Sequence, residues 1–240
     1  MKKYMLALGL SLLTVLGLFT GCSPKAETAS GSDSLKIVAT IFPEYDWVRQ
    51  VLGDRAGEVQ LTLLLDSGTD LHSYQPTAAD MLTIGECDLF LYNGGESDAW
   101  VERVLATAAN PDRRTLSVME VLGDSVLEEE VVEGMQEAED HDHAEGEAHE
   151  EEADEHVWLS LRNARTACAE IARVLGELDP DHAAEYQTNA ENYMAELEAL
   201  DGEYAALAEN AARRTVLVGD RFPFRYLMDD YGLEYYAAFS

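Results

Sequence analysis

Six histidines are the side chains with the most chemistry to offer in this chain, and two of them stand where a ligand belongs. His72 lies in Asp70-Leu71-His72-Ser73-Tyr74-Gln75-Pro76-Thr77, a loop at the carboxyl end of an expected strand. Open α/β sheets bind ligands at that edge. His156 lies in Asp154-Glu155-His156-Val157-Trp158-Leu159, where an acidic stretch gives way to an apolar one. Neutral imidazole suits zinc and its neighbours, and carboxylates can complete the coordination sphere, so the pair points to a divalent transition metal. His141, His143 and His149 sit among Asp and Glu between Asp140 and His149. They read either as an auxiliary, weak capture loop, each capture costing ordering entropy, or as incidental residues of a solvated segment. His182 follows Pro180 in the first turn of a long helix and reads as exposed and structural.

Composition sets the classes these residues can serve. Lys+Arg number 16 against Asp+Glu 47, a formal net charge of −31 with a pI near 4.2. Phosphate binding needs clustered Lys and Arg, so nucleic acid is excluded as a partner, while a cation ligand is favoured. Between Glu128 and Glu155 there are 15 acidic residues and no Lys or Arg. No HExxH or GxSxG motif lies near either histidine. A zinc hydrolase would need three protein ligands, an open water position and a base, so no catalytic residue is expected. No CxxC is present, and Cys87 and Cys168 read as buried free thiols, with a disulfide as the alternative.

The elements that must position the histidines follow from periodicity. Met1-Lys2-Lys3 and the apolar run Met5 to Phe19 read as a secretory signal over residues 1–21, too short for a comfortable membrane span. It ends in Leu18-Phe19-Thr20-Gly21-Cys22, which resembles a bacterial lipobox and makes Cys22 the expected lipidation site; residues 22–34 read as a flexible tether. Strands are expected at Leu35–Phe42, Glu58–Leu65, Asp88–Tyr92 and Arg114–Val118, and helices at Glu44–Gly53, from the capping box Thr77–Asp80 to Glu86, and at Ser97–Ala109. This alternation implies βαβ units in an open, mostly parallel sheet, an N-terminal α/β lobe over residues 35–119. Residues 120–155 read as an extended, acidic, His-bearing loop, and 156–178 return to the first lobe. A long helix over 179–212 carries Tyr186, Ala190, Tyr193, Leu197, Leu200, Tyr204 and Leu207 on one stripe and is long enough to brace two lobes. Residues 213–240 read as the start of a second α/β lobe that is incomplete at Ser240.

From Leu35 onward the chain resembles the zinc-uptake solute-binding lipoproteins of zinc and manganese ABC importers. The resemblance rests on Ile37-Val38-Ala39-Thr40-Ile41-Phe42-Pro43, Asp70 to Thr77, Glu155-His156-Val157-Trp158-Leu159 with Arg162-Asn163-Ala164, and Asp179-Pro180 before the long helix. It implies two α/β lobes joined by a rigid helix, a metal held between them, and ligands at His72 and His156. It also implies a third histidine opening the segment that ends in Tyr231-Gly232-Leu233. Arg221 occupies that position, and a guanidinium stays protonated and cannot ligate. Asp220 beside it, a water, or a residue beyond Ser240, where the family's acidic fourth ligand would fall, could complete the sphere. The expected function is capture of Zn²⁺, with Mn²⁺ possible, by a monomer anchored through its lipid to the outer face of the cell membrane, and delivery to an ABC permease. A metal buffer or adhesin without transport is the alternative.

Overall fold

The computed structural model describes residues 34–66, 68–106, 109–135 and 152–239. Four short strands, β1 (Lys36–Ala39), β2 (Gln60–Leu63), β3 (Leu89–Tyr92) and β4 (Arg114–Ser117), form one parallel sheet in the order β2-β1-β3-β4. Ile37 stands opposite both Leu61 and Leu89, and Leu91 opposite Leu116. The apolar runs of β1 and β3 have no polar face because both sides of the sheet are covered. Ile37, Leu89 and Leu91 pack under α1 (Phe42–Leu52), α5 (Leu161–Leu178) and α6 (Ala183–Asn210). Val38 and Phe90 point the other way, toward α2 (Ala78–Glu86) and α3 (Val101–Leu105). The order reverses between β1 and β3, so their carboxyl ends open a crevice of the kind that receives ligands in such sheets.

Local chemistry starts the flanking helices on time. Pro43 in the first turn presets α1, and Gly53, at φ 56°, ends it. One oxygen of the Glu44 carboxyl group reaches back to accept hydrogen bonds from the Thr40 and Ile41 N–H groups (3.0 and 3.2 Å) and the Thr40 hydroxyl (2.8 Å), locking the end of β1 to the start of α1. Thr77 and Asp80 form the expected capping box of α2. Cys87 and Cys168 are buried and free.

Three expectations change. The helix expected over Ser97–Ala109 is a 3₁₀ turn, Glu96–Asp98, followed by the short α3. Gly94 and Gly95 take φ 97° and 81°, and the buried Asp98 side chain turns back to accept the Gly94 N–H at 2.9 Å, which breaks the helix in two. The acidic segment is not an extended loop from residue 120. A helix, α4, runs Val118–Leu122, and then Glu128 pairs antiparallel with Ala153, with the Glu129 N–H on the Glu152 carbonyl (2.7 Å) and the Asp154 N–H on the Leu127 carbonyl (2.9 Å). The segment leaves and returns through a hairpin neck. Finally, the apolar stripe of the 28-residue α6 is covered unevenly: Tyr186, Ala190 and Leu197 are buried, while Leu207 is 69% exposed.

Past α6, β5 (Thr215–Arg221), α7 (Arg225–Tyr231) and β6 (Glu234–Phe239) form a parallel two-stranded sheet with one covering helix. Phe222 stacks on Tyr235 at 3.9 Å in its small core. No helix among the described residues is long and apolar enough to cross a membrane.

Candidate metal centre

His72 sits in the 3₁₀ turn Leu71–Ser73, which Asp70 caps by accepting the His72 N–H at 2.9 Å while Leu71 anchors it in the core. Its Nδ1 lies 3.0 Å from the Ser97 hydroxyl. That hydroxyl donates its single proton to the carboxylate of Glu155, which also accepts the Ser97 N–H at 2.7 Å. Ser97 Oγ is therefore the acceptor for His72, so the proton resides on Nδ1 and the Nε2 lone pair is free to ligate. His156 repeats the logic. Its N–H and its Nδ1 both meet Asp154 Oδ1, at 2.8 and 3.0 Å, which assigns the proton to Nδ1 and the lone pair to Nε2.

The fold brings these two rings together. Their centroids are 5.5 Å apart at 56°. A Zn–N bond of about 2.0–2.1 Å puts an ion about 3.2 Å from each ring centroid, so two rings on one tetrahedral ion lie about 5 Å apart. The pair thus has the separation a single zinc ion spans. The rings line a cavity of about 270 Å³ with Glu96, Ser97, Glu129, Glu152, Ala153 and Glu155. Desolvation and the neighbouring carboxylates of Asp154 and Glu152 hold Glu129 above the ordinary carboxylate range. Such a mouth favours cations.

Glu155 is buried, yet it faces the cavity because Gly95 leaves room: a Cβ at residue 95, where φ is 81°, would overlap its carboxylate. The Asn93 side chain donates to the Glu155 carbonyl at 2.8 Å, fixing this strand end to the His156 segment. Behind the cavity lie two buried acids. Burial, opposed by the Gly94 N–H and reinforced by Glu155, raises Asp98 to about 6; burial, opposed by Thr40 and reinforced by Asp98, raises Glu44 to about 8.

Not every expected ligand joins the pair. Asp220 is exposed on β5, accepts the Arg221 N–H at 2.9 Å and does not line the cavity. Arg221 is exposed beside it. Among the described residues, no group of three or more His, Cys, Asp and Glu is arranged to hold a metal ion. His141, His143, His149 and Cys22 lie outside the described residues. His182 is held by Asp179 through Nδ1 at 2.8 Å, in a corner with Tyr186 and Arg55. The residues that sequence reasoning missed are Ser97, Glu155 and Asp154, the groups that orient the rings. The one available signal was the unbroken Asp154-Glu155-His156 string, which puts orienting acids next to a ligand.

The chain is similar to proteins named for zinc binding and zinc uptake. The chain is 34% identical over 234 residues to the zinc-binding lipoprotein AdcA of Streptococcus pneumoniae serotype 4, covering 98% of this chain and 43% of that relative. It is 30% identical over 212 residues to the high-affinity zinc uptake system protein ZnuA of Bacillus subtilis, covering 88% of this chain and 63% of that protein. The chain thus spans less than two thirds of the length of these relatives. The crystal structure of the Zn(II)-bound ZnuA-like domain of Streptococcus pneumoniae AdcA superposes with a TM-score of 0.68 at 29% identity, over 86% of this chain and 67% of that one. Residues 37–240 match the family described as zinc-uptake complex component A periplasmic, ZnuA, and the chain belongs to that family.

Proposed function

We propose that the protein is an extracytoplasmic solute-binding component that captures Zn²⁺ as cargo between His72 and His156 and passes it to the permease of an ABC importer. The observation that supports this reading best is the pair of rings 5.5 Å apart, each with Nδ1 held in a hydrogen bond that leaves the Nε2 lone pair free. Two imidazoles favour zinc over Mn²⁺, which prefers more oxygen. Relatives are named for zinc binding and zinc uptake, in agreement with that preference. Glu155, which lines the cavity, or water supplies what the two rings leave open. Binding rather than catalysis is the task that fits relatives named for zinc binding and zinc uptake.

Cys22 carries the lipid that holds the chain, as a monomer, on the outer face of the membrane. The histidines of the acidic segment collect the ion when it is scarce and release it at the neck, whose Glu129 and Glu152 line the cavity. In this reading the chain comprises a first lobe over 35–119 and 156–178, the acidic segment between its two parts, the helix 179–212, and the start of a second lobe from 213. Deleting residues 137–151 is expected to slow capture at low zinc and to keep the tight site; loss of the tight site would contradict the segment's role. Cys22→Ala is expected to release the protein into the medium, and retention on the membrane would contradict the anchor.

A further inference from the structure

The hairpin neck that ends at His156 is gripped from behind by α7. Tyr226 is 3% exposed, and its hydroxyl reaches both strands of the neck. It accepts the Leu127 N–H at 3.0 Å and donates to the Asp154 carbonyl at 2.8 Å. Leu127 and Asp154 are themselves paired, through the Asp154 N–H and the Leu127 carbonyl at 2.9 Å. One phenol thus spends its proton and a lone pair on the two residues that close the neck. Asp154 is also the residue whose carboxylate holds the N–H and Nδ1 of His156. Two further contacts come from the same unit: Arg225 pairs with Glu130, and the Tyr235 hydroxyl lies 3.2 Å from the same carboxylate.

We propose that Tyr226 is a positioning residue for the metal centre: its hydroxyl fixes the backbone at Asp154 and, through the Asp154 carboxylate, the direction of His156 Nε2. This deepens the zinc-site reading and rests on it. The ring of Tyr226 belongs to the main core, so its packing is independent of the hydroxyl. Removing the hydroxyl alone leaves the Leu127 N–H and the Asp154 carbonyl without that partner, and the backbone must shift to recover one. A shift at Asp154 turns the imidazole it holds. Through this contact the β5–α7–β6 unit, which supplies no lining residue to the cavity, still acts on the site.

The test is Tyr226→Phe in the full chain, titrated with Zn²⁺ against a competing chelator, with ¹⁵N spectra of the histidine rings before zinc is added. Zinc affinity is expected to fall about two- to tenfold, the worth of one hydrogen bond. The His156 ring nitrogens should move toward a mixture of tautomers while those of His72 stay. Asp154→Ala is expected to weaken zinc about 10- to 100-fold, and adding Tyr226→Phe to it should change affinity less than twofold, since the hydroxyl then has no carboxylate to act through. Unchanged affinity and an unchanged His156 spectrum in Tyr226→Phe would overturn the proposal, and so would full additivity with Asp154→Ala. His156→Ala keeps the two readings apart: if it abolishes binding while Tyr226→Phe is silent, only the positioning role falls, whereas binding that survives His156→Ala removes the zinc-site reading and the positioning role together.

Discussion

The two parallel sheets of this molecule are built from similar residues and end in different states. In the four-stranded sheet Ile37, Leu89, Phe90 and Leu91 are fully buried, with helices on both faces. In the two-stranded sheet Leu217 is 83% exposed, Tyr236 47% and Phe239 42%. The long helix α6 carries both states on one element, with Tyr186 fully buried and Leu207 69% exposed. The first sheet is a rigid frame whose carboxyl edge sets both histidines. The second, with a three-residue buried core of Phe222, Met228 and Ala237, touches the site through α7 and the hairpin neck. The two facing imidazoles thus rest on the well-covered region, and the Tyr226 hydroxyl ties the thinly covered region to the segment that carries His156.

Substitutions in the two sheets should expose this contrast. Leu91→Ala, in the fully buried sheet, is expected to destabilise the protein by about 2–5 kcal/mol, through lost burial and the cavity left behind. Chemical denaturation measures it; a loss below about 1 kcal/mol would mean the frame is not the rigid element. Glu44→Gln tests the acids beneath the crevice. Because burial raises Glu44 to about 8 from an ordinary 4.5, the stability tied to its neutral form is complete below about pH 4.5 and is lost as pH rises through 8. The amide cannot ionise. Melting temperatures should therefore show the stability of Glu44→Gln, relative to the parent, rising between pH 5 and pH 9 by on the order of a few kcal/mol. A constant difference across that range would contradict a buried, neutral Glu44.

Gly95→Ala should act on the site. The added Cβ displaces the Glu155 carboxylate and strains a residue at φ 81°, for a stability cost of about 1–2 kcal/mol and a weaker hold on His72. Differential scanning and zinc titration on the same sample check both effects; unaltered affinity would show that Glu155 and Ser97 do not orient His72. At the small end, Leu217→Ser on the bare sheet should change stability by less than about 0.5 kcal/mol. A large loss there would mean that this face is covered in solution.

Much of the frame was legible in the sequence because a parallel strand buried on both faces leaves a mark, as in Leu35-Lys36-Ile37-Val38-Ala39-Thr40-Ile41-Phe42. His72 was legible for the same reason, since the end of a strand predicts the edge of a sheet. The hairpin neck was not. Its pairing of Glu128 with Ala153 is a long-range backbone event inside a charge-rich stretch, and charge-rich stretches read as solvated. Periodicity placed Leu200, Tyr204 and Leu207 on one face of α6, as a helix must. It carried no information on what covers that face. Ser97 and Glu155 were silent because hydroxyl and carboxylate are common surface groups, and only the positive-φ turn at Gly94 and Gly95 brings them beneath the imidazole.

The most direct test of the central claim is calorimetric titration of the purified chain from residue 23 onward with Zn²⁺, beside His72→Ala and His156→Ala. One tight site in the parent, lost in both variants while their melting temperatures without metal stay unchanged, is the predicted result. Tight binding that survives either substitution would contradict it, because the facing imidazoles would then not be the pair that holds the ion.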